Sequence, residues 1–70
     1  MEDDERVYKI IELVGASPNS WEEAVEIAVD QASKSIRDLR VVEVSKLDAR
    51  IKDGKIVAYR AKVNISFKVE

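Results

Sequence analysis

Seventy residues with a formal charge of −2, from 12 basic and 14 acidic side chains, make one small domain, residues 1–70, without a net field that would draw it to nucleic acid or an anionic membrane. Cysteine and histidine are both absent, which excludes disulfides, thiolate metal sites and the commonest acid/base and metal-ligating side chain. A chain this short buries only about 60% of the surface that its unfolded form exposes, so self-association is the remaining way to supplement its core.

The opening MEDDERVYK is acidic and poor in apolar residues, unlike a secretory leader, and no apolar run approaches the roughly 20 residues of a membrane span. Residues 1–6 read as a flexible extension, and the chain as soluble and cytoplasmic, with neither nucleic acid nor membrane as partner. VYKIIELV, residues 7–14, predicts a strand with Val7, Ile11 and Leu13 on one face and Tyr8, Ile10 and Val14 on the other, so both faces are apolar. Gly15 is expected to end it, and Pro18 within ASPNS marks a short turn.

Ser20 followed by Glu23 has the Ser-x-x-Glu spacing of a capping box and predicts the start of a helix. From Trp21 to Leu39, apolar residues at 21, 25, 28, 29, 32, 36 and 39 form a stripe of helical period. Glu22, Glu23, Glu26 and Asp30 suit the positive end of its dipole, and Lys34 and Arg37 the negative end. Trp21 heads this stripe and reads as a packing anchor.

Asp53-Gly54 is a two-residue hairpin signal that pairs residues 41–52 with residues 55–68. The last strand alternates, with Val57, Tyr59, Ala61, Val63, Ile65, Phe67 and Val69 on one face and Arg60, Lys62, Asn64, Ser66 and Lys68 on the other. The middle strand changes phase between Val42/Val44 and Leu47/Ala49/Ile51, as a bulge near Ser45-Lys46 or a strand covered on both faces would require. The predicted fold is α+β: a β-α-β-β chain whose three-stranded antiparallel sheet packs on one helix. One helix covers only part of so long a sheet, and a trimer or larger closed assembly would cover the rest.

Without histidine or cysteine the serines cannot enter a triad or a thiol site, so no enzyme is expected. The pairs Glu22/Glu26 and Asp48/Asp53 match no calcium-loop spacing and read as solvated carboxylates. Arg50, Arg60, Lys62 and Lys68 could form a basic strip, but Tyr59 lies on the opposite face, and cross-strand pairing with Glu43 or Asp48 is the simpler expectation.

VYKIIELVGASPNSWEEAVEIAV, LRVVEV and DGKIVAYRAKVNISFKVE together resemble the dodecin family from Val7 to Glu70. The resemblance implies a non-enzymatic subunit, twelve of which close into a hollow shell built from trimers. It also implies a small-molecule ligand, of which flavins such as FMN, riboflavin or lumichrome are the best known. The ligand positions implied are Val41, Glu43, Arg60 and Lys68. Flavin-binding relatives have Trp-x-Glu-Val where this chain has VVEV, so the ring-stacking tryptophan is replaced by Val41; Arg60 stands where they have a glutamine on the ring edge. Flavin binding is therefore expected to be weakened. A subgroup without that tryptophan, one type of which is described as a calcium dodecin, is more similar; calcium or another cation is the alternative ligand, with its ligating residues unassigned.

Overall fold

The structure, a computed structural model, describes residues 6–69, arranged as β1 (Tyr8–Ser17), α1 (Trp21–Ser33), β2 (Leu39–Lys52) and β3 (Lys55–Lys68). Of the extension expected over residues 1–6, only Arg6 lies among the described residues. The strands form one antiparallel sheet in the order β1-β3-β2, with α1 on one face, as the β-α-β-β reading requires.

Gly15 does not end β1, which continues to Ser17. Its missing side chain serves packing instead: a Cβ there would fall inside the Ala24 carbonyl group and lie 3.1 Å from the Ala28 Cβ. The helix thus rests almost directly on the β1 backbone. Ala24, Ala28 and Ala32 recur every four residues on its underside and meet Ala61, Val63 and Ile65 of β3, all buried. Ile11, Leu13, Val25, Val29 and Leu39 rim this core.

The helix also stops short of the predicted stripe, at Ser33. The backbone N–H groups of Lys34 and Ser35 donate three residues back, to Gln31 and Ala32, and Ile36 N–H shares the Ala32 carbonyl, which tightens the last turn. Asp38 then adopts a left-handed conformation, φ 61°, and turns the chain into β2. Ile36 and Leu39 lie beyond the helix, yet Leu39 still packs against the core. Lys34 caps the helix and pairs with Asp30 at 3.8 Å, whereas the last turn itself carries no basic residue.

Asp53 and Gly54, with φ of 54° and 76°, are both left-handed, the backbone that a two-residue hairpin turn needs. Beyond the turn the register is broken at Arg50/Ile51, where β3 carries the extra residue Val57, and again at Val44/Lys46, where β2 carries Ser45. The second break is the expected bulge. The offsets of Ser45 and Val57 cancel, so residues 41–44 keep the register of the turn end while the stretch pairing residues 46–50 with 58–62 is shifted by one; a third break, at Leu39/Val41, leaves Arg40 extra at the start of β2.

Four of the six buried apolar residues are alanines, while fourteen large apolar side chains stay at least 36% exposed. The cause is geometric: strands of 14 residues span about 46 Å, and a helix of 13 residues about 20 Å. The Cα radius of gyration is 14.5 Å, against about 11 Å for a compact chain of this length.

Replacing Gly15 with alanine forces α1 off the sheet. The expected cost is about 3 kcal/mol or more, seen as a lower urea midpoint by circular dichroism; an unchanged midpoint would mean that the helix does not sit against β1 as described.

Candidate functional site

The turn between β1 and α1 is built around one buried hydroxyl. Ser17 Oγ donates to Glu23 Oε1 at 2.5 Å and accepts from the backbone N–H groups of Asn19 and Ser20 at 2.9 and 3.4 Å. Asn19 Nδ2 donates to the same Glu23 oxygen at 2.6 Å, and Ser20 Oγ accepts from Glu23 N–H at 3.0 Å. Only half of the predicted capping box therefore forms. Glu23 reaches Ser17 and Asn19 instead of the Ser20 backbone, because Ser17 has already taken that N–H. These two hydrogen bonds, Ser17 first, hold the Glu23 carboxyl below its ordinary value.

Trp21, the first helical residue, is a packing anchor. Its ring meets Tyr59 edge-on, with centroids 4.9 Å apart and planes at 72°, and its Nε1–H donates to the Asp48 carbonyl oxygen at 2.9 Å. It ties the start of α1 to both strands of the hairpin. On the opposite face of the sheet, the side chain of Asp48 accepts from Arg60 twice, Nε to Oδ1 at 2.7 Å and Nη2 to Oδ2 at 2.9 Å. This forked pair lowers the Asp48 pKa, chiefly through the Arg60 hydrogen bonds, and raises that of Arg60. This is the cross-strand pairing with Asp48 expected for the basic residues, and it means that Asp48 is not simply a solvated carboxylate. Glu43, the other partner considered for the basic residues, stands opposite Asn64, and Lys62 pairs instead with Glu12 at 3.5 Å.

The four ligand-site residues separate into two places. Val41 stands opposite Ser66 and Glu43 opposite Asn64, both on the helix-free face. Lys68 pairs with Tyr8 at the same end of the sheet, and its backbone N–H donates to the Asp38 carbonyl at 3.2 Å. Arg60 lies six residues from Ser66, about 20 Å along β3. Tyr8, Arg40, Val41 and Ser66 enclose a shallow, mainly apolar hollow of about 380 Å³. Tyr8, Arg40 and Ser66 were not singled out from the sequence, although counting back from the Asp53-Gly54 turn would have set Ser66 against Val41. Among the described residues no three Asp or Glu side chains converge as metal ligands.

The dodecin family profile matches residues 7–70, nearly the whole chain. The chain belongs to the dodecin family. It is 41% identical over 63 residues to the calcium dodecin of Mycobacterium tuberculosis, covering 90% of this chain and 89% of the relative. It is 32% identical over 65 residues to the dodecin of Thermus thermophilus, covering 93% and 94%. Among solved structures, the dodecin of Streptomyces coelicolor superposes with a TM-score of 0.91 at 31% identity, covering 96% of both chains. The M. tuberculosis calcium dodecin superposes with 0.81 at 45% identity, covering 91% of both.

Tested against a flavin, the residues do not fit within one subunit. Val41 offers no ring to stack on, and the Arg60 fork is occupied by Asp48 about 20 Å away. Tested against calcium, a single chain offers no oxygen cage among its described residues.

Both Glu23 and Asp48 are held below their ordinary values of 4.5 and 3.8, so their stabilisation is complete at neutral pH and is lost as pH falls through the lowered folded values. Thermal melts should be flat from pH 8 to pH 5, to within about a degree, and drop below about pH 4.5. Glu23→Gln and Asp48→Asn should each flatten that acid limb; a limb unchanged in the double variant would remove these two groups as its source.

Proposed function

We propose that this chain is a non-catalytic, self-assembling binding protein, a homododecamer built from trimers that holds a small ligand within its shell. The observation that carries this reading is the fourteen exposed large apolar side chains against a core that is mostly alanine. They lie on both sides of the sheet. Val42, Val44 and Leu47 are on the helix side where α1 does not reach β2, and Tyr8, Ile10, Val14 and Val41 are on the helix-free side. Two uncovered faces support two kinds of subunit contact, which a closed shell needs and a simple dimer does not. A nucleophile paired with a base is not offered by these residues, and the activity supported is binding.

The ligand end is the Val41 hollow, with Glu43 and Lys68 on the same end of the sheet and Arg60 contributed from a neighbouring subunit. Flavin binding there is weak because Val41 replaces the aromatic grip. A second reading is favoured by the 41% identity to a calcium dodecin over nine-tenths of the chain: a cation held by carboxylates that a symmetry axis repeats. The protein works in the cytoplasm, free of nucleic acid and membrane; among the described residues no helix is long and apolar enough to cross a membrane.

Analytical ultracentrifugation should give a species near twelve times the 7.9 kDa subunit mass; a monomer or dimer at micromolar concentration would sink the shell. Val41→Trp should tighten FMN and riboflavin binding about tenfold per stacked ring, read by flavin fluorescence quenching. If the variant quenches no better than the parent, Val41 does not line the ligand site. Calcium calorimetry with and without chelator decides the cation reading, which needs both heat of binding and a rise in melting temperature.

A further inference from the structure

Trp21 stands where the helix begins, and its seat is fixed from behind. Ser17, buried at the end of β1, accepts from the backbone N–H groups of Asn19 and Ser20, and Ser20 caps the helix that Trp21 opens. From there the indole N–H meets the carbonyl oxygen of Asp48, in the peptide that leads to Ala49, and the ring meets Tyr59, the residue opposite Ala49. Both contacts fall inside the stretch whose register is shifted by the bulges at Ser45 and Val57.

A second frame is open to that stretch. Carrying the register of Val44 and Val63 straight through to Ile51 and Ile56, without bulges, would set Asp48 opposite Tyr59 and Leu47 opposite Arg60. Opposed residues share a face, so Lys46, Asp48 and Arg50 would cross to the helix side, and Leu47 and Ala49 to the helix-free side. Burial alone separates the two frames weakly, because Leu47 is 50% exposed even in the bulged one, and each bulge costs a paired residue. Trp21 separates them sharply. The place opposite Tyr59, taken by the small Ala49, would go to the Asp48 carboxylate, a charge set against the two rings, and the carbonyl that accepts from the indole would be displaced.

We infer that Trp21 is a positioning residue for Arg60: it holds the hairpin in the bulged frame, in which Asp48 faces Arg60 and fixes its guanidinium on the helix-free face. This rests on the reading that Arg60 serves the ligand end of a neighbouring subunit. Arg60 keeps its face in either frame, because β3 alternates from Ala61, Val63 and Ile65, which are buried under the helix. What changes is its partner. In the bulged frame Nε and Nη2 are held by Asp48 at 2.7 and 2.9 Å, whereas opposite Leu47 the side chain would swing freely and lose more freedom on binding.

Carbon-13 NMR titration of the aspartate carboxyls in the assembled protein reads the frame without any ligand, with Asp48→Asn identifying the signal. In the parent, Asp48 should titrate below its ordinary 3.8, held down chiefly by Arg60, with Lys46 adding to it. The other charges around it are Arg50 on β2 and Lys62 on β3, the latter paired with Glu12 of β1. Trp21→Phe keeps an aromatic edge for Tyr59 but loses the N–H, and should bring the midpoint back toward 3.8. Tyr59→Leu leaves the N–H in place and should move it the same way, which gives the same test where Trp21→Phe does not assemble. A Trp21 that merely stabilises the fold would lower the melting temperature and leave the Asp48 midpoint where it was; that result overturns the inference. Riboflavin affinity, measured in the Val41→Trp background, reads the consequence for binding. Trp21→Phe and Arg60→Gln should each weaken it several-fold, and together no more than Arg60→Gln alone. Losses that add in full overturn the inference, because Trp21 would then act by another route. Arg60→Gln without effect on riboflavin removes Arg60 from the ligand end, while the Asp48 titration still decides the frame.

Discussion

Everything in this subunit follows from how closely α1 approaches β1. At Gly15 the helix backbone takes the space that any other residue would fill with a side chain, and three alanines four residues apart let it settle there. The contact is tight but thin. Alanine layers exclude water well yet contribute little apolar area each, so the energy that would hold a lone domain together is largely missing from the interface that defines its shape. Close seating over β1 and β3 also leaves Val42, Val44 and Leu47 of β2 exposed on the helix side, which turns an economy in packing into a demand for neighbours.

One cross-brace ties the long hairpin to the helix, and a second ties its two strands to each other. Trp21 reaches from the first turn of α1 to the Asp48 carbonyl and the Tyr59 ring, and the Asp48 side chain, on the other face, holds Arg60. One residue of β2 is therefore fixed from above and below. The same arrangement explains why the chain's one tryptophan is no platform for a ligand: its edge is spent on Tyr59 and its N–H on the backbone.

Much of the fold was legible because local signals agreed with the final structure. Ser20 caps the helix, Asp53-Gly54 turns the hairpin, and the loss of alternation between Val44 and Leu47 marks a real bulge. Gly15 misled because a glycine read along the chain is a breaker, while its true reason, the Ala24 backbone, comes from another element. The apolar stripe ran past Ser33 because Leu39 returns to the same core from a strand, and periodicity does not distinguish the two routes. The ligand positions were reached through family resemblance, not chemistry. Charge type was enough to name Asp48 as a cross-strand partner for the basic residues, but not to single out Arg60, since that register depends on Val57 being extra and a β-branched residue in a strand carries no mark of a bulge.

The paired bulges give the hairpin an unusual kind of modularity. Because Ser45 and Val57 offset each other, the turn end and the Val41 end share one frame while the stretch between them runs in another. Deleting one of the two residues would slip the whole distal half and turn its inward side chains outward. Deleting both together would slide only the middle, exchanging the charged rungs for a different set and leaving Val41 opposite Ser66. The central cassette can thus diverge in sequence and length, in matched pairs of changes, without cost to either end.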